Sequence, residues 1–198
     1  MMNLTAHIGI YDTYADWEIG HLLVELRTGR FTGTPVDVVT VGETLEPVTS
    51  MGGLRVLPDL LLSDLEPGAS NLLILPGAGM WDDGGGQPFA AAAGRFLEAG
   101  VPVAAICGAT FGLARAGLLD ERRHTSAVPE YLAASGYKGA EYYVDERAVF
   151  DGDLITAGPS SPLQFTTAVL RRLGLASDET LEAYEAVFHH EDVSAYPT

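Results

Sequence analysis

The sequence predicts an α/β fold in which helices cover a mainly parallel β-sheet, and three observations carry that expectation. Strand-like apolar runs alternate with helical stretches along all 198 residues. Residues 71–75 (NLLIL) and 103–106 (VAAI) are short and almost wholly apolar, as in parallel strands buried on both faces. At Cys107 the apolar period changes from that of a strand to that of a helix, where Phe111, Leu113, Ala114 and Leu118 recur at roughly helical spacing.

In chain order, residues 6–11 (AHIGIY) read as the first strand, and Ile19, Leu22, Leu23 and Leu26 place apolar side chains on one face of the helix after it. Residues 36–41 (VDVVTV), bounded by Pro35 and Gly42, read as the second strand. Between 42 and 58, short β-prone pieces around Gly52 and Gly53 predict a small hairpin, and 59–65 offer little helical length. The strand at 71–75 runs into PGAGMWDDGGGQP, too rich in glycine for regular structure. Residues 89–99 form an alanine-rich helix ended by Gly100 and Pro102. After the strand and helix around Cys107, residues 119–123 make a polar turn and HTSA a short strand. Residues 142–144, 148–150 and 154–156 then read as two or three strands joined by DERA and DGD turns. Ser160 or Ser161 caps the next helix, with Pro162 in its first turn and Leu163, Phe165, Val169, Leu170 and Leu173 on its apolar face. Residues 178–189 form a last amphipathic helix, and EDVSAYPT a loose tail.

Length and a 47% hydrophobic composition suit one domain spanning 1–198. No apolar run is long enough to span a bilayer, and MMNLTAHIGIY enters a strand pattern without a basic, apolar signal region. A cytoplasmic location and no membrane partner are therefore expected. One cysteine cannot form an internal disulfide. The formal charge of −16 argues against binding nucleic acid through a broad basic face. The glycine-rich loop has neither a GK[ST] ending nor GxGxxG spacing, so no nucleotide cofactor is expected. His7 and His21 read as strand and helix-face positions and His189 and His190 as the end of the last helix, and no metal site is expected from them.

Cys107 is the leading candidate for chemistry. A strand-to-helix junction resembles a nucleophile elbow, and Ala105 and Gly108 are the small neighbours a sharp turn needs. At a helix N-terminus a thiol's ordinary value of about 8.5 is expected to fall, although a lone cysteine is also an ordinary small core residue. Glu18 opens the first helix, where capping alone would explain a carboxylate. It also follows the first strand, and open α/β sheets gather their sites at the carboxyl ends of strands. The amides of Gly77 and Ala78, after the strand at 71–75, and of Gly108, after the nucleophile, are candidates to hold a developing oxyanion. His124 is the third catalytic candidate, against the plainer reading of a histidine beside arginines as a surface residue.

The segments LILPGAGMW, AAICGATFGLARAGLLDERRHTS and FDGDLITAGPSSPLQFTTAVLRRLG, together with YDTYADWE, resemble the ThiJ/PfpI family of the class I glutamine amidotransferase-like superfamily over nearly the whole chain. The resemblance implies a flavodoxin-like sandwich, a homodimer, and an elbow cysteine beside an acidic residue, positions that Cys107 and Glu18 match. It carries the strand-end loop glycine to Gly77 and the residue after the nucleophile to Gly108. The family's histidine positions hold Gly108 and Ala127 instead, and His124 is shifted by three residues. Two functions follow as expectations. One is a cysteine-dependent enzyme acting on a small-molecule amide, aldehyde or isonitrile. The alternative is an oxidative-stress protein in which Cys107 becomes a sulfinic acid stabilised by Glu18.

Overall fold

A computed structural model of the protein describes residues 4–196. Residues 1–3 of the opening segment, and Pro197 and Thr198 of the expected tail, lie outside the described residues. The strands are β1 (Thr5–Gly9), β2 (Asp37–Gly42), β3 (Val48–Thr49), β4 (Arg55–Val56), β5 (Leu60–Leu61), β6 (Leu72–Leu75), β7 (Val103–Ile106), β8 (Ala148–Asp151) and β9 (Leu154–Ala157). The helices are α1 (Asp16–Thr28), α2 (Gln87–Glu98), α3 (Gly108–Arg115), α4 (Pro129–Ala133), α5 (Pro162–Arg172) and α6 (Asp178–His190).

Seven strands form one sheet in the order β5-β2-β1-β6-β7-β9-β8, parallel throughout except for the β8–β9 pair. Ile8 lies opposite both Thr40 and Ile74, and Ala104 opposite both Ile74 and Ile155, so the central strands run in close register. Every residue of β6 and β7 is buried, as strands with helices on both faces must be. Helix α1 packs on α5 and α5 on α6, while α2 packs on α3. This is the α/β, flavodoxin-like arrangement expected. The chain leaves β1 on one side for β2 and returns on the other to β6. The carboxyl ends of β1, β6 and β7 therefore lie together at the switch point where α/β sheets place their sites.

The local reading is corrected in several places. Residues 59–65 hold a two-residue edge strand, β5, and a 3₁₀ turn at Leu62–Asp64. HTSA is not a strand: His124 makes only an isolated bridge to Tyr143. Residues 142–144 fall at the end of a 3₁₀ turn, Ala140–Tyr142, rather than in a strand. The amides of Tyr142 and Tyr143 are taken up within the turn, by Gly139 O at 2.9 Å and Ala140 O at 3.3 Å, which leaves only the isolated bridge for a strand partner. Ser161 occupies the N-cap of α5 but its side chain does not bond the helix end, whereas Ser177 does cap α6, through the Thr180 amide. The glycine-rich loop contains a 3₁₀ turn, Gly79–Trp81, and α4 went unread because it is barely one turn long. Among the described residues no helix is long and apolar enough to cross a membrane.

Trp81 is the largest fully buried side chain near the switch point. A Cβ on Gly112 of α3 would stand 2.1 Å from Trp81 Cε3, so the indole lies directly on that helix's backbone. Gly112→Ala is therefore expected to destabilise the fold by about 1–3 kcal/mol through overpacking. Urea unfolding followed by circular dichroism checks this, and an unchanged midpoint would count against the contact.

Candidate active site

The backbone at Cys107 carries the first mark of a built site. Its φ of 57° and ψ of −126° lie in a region that side-chain-bearing residues rarely adopt. Two sets of bonds hold the turn. The Cys107 amide donates to Ala157 O at 3.0 Å, which keeps the end of β7 in the sheet. The Cys107 carbonyl accepts from the Thr110 amide at 3.0 Å and from Thr110 Oγ1 at 2.6 Å. Thr110 Oγ1 in turn lies 2.6 Å from Ser126 Oγ, and both residues are buried. The result is a strained elbow between the end of β7 and the start of α3 that carries the thiol.

Glu18 meets this elbow from the start of α1. Its side chain does not cap the helix, whose N-cap is Ala15; it turns inward and is fully buried. Oε2 accepts from the Gly77 amide at 2.7 Å, and the Ala15 amide donates to Gly77 O at 2.8 Å. Both polar groups of Gly77 are thus held by the first turn of α1. A Cβ on Gly77 would stand 2.9 Å from Glu18 Oε2 and 3.0 Å from Cys107 Sγ, so the carboxyl and the thiol flank a space only glycine leaves open. Glu18 Oε1 is buried and has no hydrogen-bond partner among the described residues.

The electrostatics follow from that burial. Desolvation pushes the Glu18 carboxyl up to about 7, against the opposing hydrogen bond from Gly77 and the contact with Cys107. Burial also pushes the Cys107 thiol up to about 12, helped by the Glu18 charge and the thiol's hydrogen-bonding contact with that carboxyl. The Gly108 amide opposes this rise without overcoming it. The expectation of a lowered thiol value is corrected: a helix of eight residues supplies less than burial and a neighbouring carboxylate remove.

The oxyanion candidates separate in the same way. The Gly77 amide is committed to Glu18, which removes it from that role. Gly108 faces the sulfur, and the Ala78 backbone lies against it, with Ala78 O 3.1 Å and Ala78 N 3.4 Å from the place of a Gly108 Cβ. His124 does not join the pair. It is fully buried, with Nδ1 2.7 Å from Arg122 O and Nε2 3.1 Å from Tyr137 Oη, and its ring meets those of Tyr137 and Tyr143. Burial lowers its value, against the opposing influence of the Arg122 carbonyl and the Asp120 charge. Both ring nitrogens being engaged, His124 has none to offer the thiol.

Sequence reading missed the residues that brace the loop. Trp81 Nε1 donates to Pro76 O at 3.1 Å and to Tyr11 Oη at 3.2 Å, and the Tyr11 hydroxyl donates to Pro76 O. Trp81 was the one large aromatic in a glycine-rich loop, and that contrast was the available signal. Thr110 and Ser126 gave no such signal, because their pairing spans 16 residues of chain. Among the described residues, no three His, Cys, Asp or Glu side chains gather in a way that could hold a metal ion.

A buried acid raised from 4.5 to about 7 favours the folded state while protonated and opposes it once ionised. The protein is therefore expected to lose stability relative to Glu18→Gln as pH rises from about 4.5 to 7, by on the order of 3 kcal/mol. Denaturant melts of both proteins across that window check it, and parallel curves would refute it.

Residues 5–172 match the DJ-1/PfpI family. The chain is 38% identical over 189 residues to the "Uncharacterized protease YoaZ" of Bacillus subtilis (strain 168), covering 93% of this chain and 90% of that protein. It is 26% identical over 144 residues to a glutathione-independent glyoxalase of Caenorhabditis elegans, covering 70% of this chain and 74% of that one. The crystal structure of a ThiJ/PfpI family protein from Bacillus anthracis superposes with a TM-score of 0.89 at 39% identity, covering 96% and 92% of the two chains. With the elbow and its acidic neighbour in place, the chain belongs to the DJ-1/PfpI family.

Proposed function

We propose that the protein is a cysteine-dependent enzyme acting on a small electrophile, an aldehyde, amide or isonitrile, with Cys107 as nucleophile and Glu18 as the group that takes and returns its proton. The observation that carries this reading is the buried Glu18 carboxyl beside the thiol of a strained elbow. A free thiol held at about 12 is a poor nucleophile at neutral pH, so its proton must leave as the sulfur attacks. An ionised Glu18, with a value near 7, is matched to that task. The S–H proton passes to Glu18 while sulfur bonds to the electrophilic carbon. With an aldehyde or amide the electron pair displaced onto oxygen faces the amides of Gly108 and Ala78, and Glu18 then returns the proton to that oxygen; with an isonitrile the charge, and the returned proton, fall on the carbon that sulfur attacks. No step calls on His124 or on the Gly77 amide.

The names of two relatives support this class of substrate without choosing within it. A glyoxalase works on an aldehyde and a protease on an amide, and both reactions begin with attack on a polarised carbon. Within this family's fold many chemistries are housed, so the site residues decide.

The test is loss of substrate from solutions of methylglyoxal, a small primary amide and a small isonitrile, each without glutathione. Cys107→Ala is expected to abolish turnover of any compound the wild type consumes, and undiminished turnover would overturn the mechanism. Below pH 7 kcat/KM should fall about tenfold per unit as Glu18 becomes protonated. Glu18→Gln should lose about 10²-fold or more in rate and show no such limb.

A further inference from the structure

The rim of the Cys107 site carries a hydrogen bond that the proposed reaction does not use. Tyr131, in α4, donates its hydroxyl to Asp82 Oδ1 at 2.5 Å, across 49 residues of chain. Both ends of this bond lie beside the elbow. Asp82 follows Trp81, whose Cδ1 stands 3.4 Å from the place of a Gly108 Cβ. The Tyr131 ring packs on Phe111, centroids 5.0 Å apart, and Phe111 is one helical turn beyond Cys107 in α3. The hydrogen bond therefore ties α4 to the loop after β6 at the edge of the thiol's surroundings.

Charge at this rim is unbalanced. Arg115 brings a cation to the cluster, its guanidinium 4.8 Å over the Phe111 ring and 3.1 Å from the place of a Gly84 Cβ. It forms no salt bridge with Asp82 among the described residues. Asp82 is instead oriented by a neutral donor, since burial and the Asp82 contact push the Tyr131 hydroxyl well above its ordinary value. Its negative charge is among the influences that raise the Cys107 thiol. Asp82 is exposed, whereas Glu18, the other acid facing the sulfur, is fully buried.

The geometry points to Asp82, oriented by Tyr131, as a specificity-determining residue that disfavours anionic substrates at Cys107 and narrows the small electrophile to uncharged molecules. The inference rests on the reading of Cys107 as the reacting atom. Repulsion between unit charges several ångströms apart at a solvent-exposed rim changes a rate by about two- to fivefold. That is enough to rank a neutral aldehyde or amide above a carboxylate-bearing analogue of the same size.

Iodoacetamide and iodoacetate, nearly equal in shape and differing in charge, provide the probe. Cys107 is the only cysteine, so intact mass reports its alkylation directly. The ratio of the two rate constants, taken at one pH, cancels any change in the thiolate fraction or in sulfur nucleophilicity. Asp82→Asn is expected to raise the iodoacetate rate relative to iodoacetamide by about two- to fivefold. Tyr131→Phe should shift the ratio in the same direction. Asp83→Asn, the same charge removed one residue along, should leave it in place. An unchanged ratio in Asp82→Asn, or an equal shift in Asp83→Asn, overturns the inference. Because alkylation does not require turnover, failure of the enzymatic reading would appear separately, as an absence of Cys107-dependent substrate loss.

Discussion

The hydrogen bond from the Gly77 amide to Glu18 is the contact on which the rest of the site depends. A carboxyl with no exposure is costly to keep in a low-dielectric interior, and without a donor it would carry the full desolvation penalty. Gly77 supplies the donor, and the same peptide's carbonyl is held by Ala15 at the head of α1. The loop after β6 is thereby fastened to the helix after β1 by both of its polar groups. Only a residue without a side chain can occupy that point, since a Cβ would collide with the carboxyl and the sulfur together. Glycine is thus required by close approach, and the approach is what brings acid and thiol together.

Support for that junction comes from apolar packing on its far side. Trp81 lies over the backbone of α3 at Gly112, and its indole N–H is shared by Tyr11 and Pro76, at the ends of β1 and β6. One buried ring therefore spans the three segments that carry Tyr11, Gly77 and Cys107. The elbow itself is held by its own carbonyl, which Thr110 grips through both amide and hydroxyl. These contacts over-determine a backbone conformation that is unfavourable in isolation, the condition under which strained residues persist.

An acid in place of a histidine changes how the thiol has to work. A cysteine beside an imidazolium exists in advance as a thiolate, because the opposite charge favours ionisation. Beside Glu18 the reverse holds, and burial and the carboxylate together retain the proton on sulfur. In the proposed reaction, reactivity arises at the moment of attack, through transfer to a carboxyl whose own value burial has moved toward neutrality. His124, with both nitrogens bonded, serves instead to bind the segment after α3 to Tyr137 and the Arg122 carbonyl.

Much of this was legible in the chain itself. The apolar runs at β6 and β7, the alternation of strand and helix, and the change of period at Cys107 are local properties, and local properties determined the parallel sheet and the elbow. Glu18, Gly77 and Gly108 were marked because each follows a strand, and strand ends converge in this class of fold. Three matters were settled only in three dimensions. Whether Glu18 capped its helix or turned inward depended on Gly77, 59 residues away, offering an amide at 2.7 Å. Whether His124 reached the thiol depended on where Tyr137 and Arg122 stood around it. The direction in which the thiol's acidity moved depended on burial, which no spacing reveals. Sequence determines which groups the backbone can present at a sheet edge; tertiary structure decides which are desolvated and which partner each finds, because both depend on neighbours far along the chain.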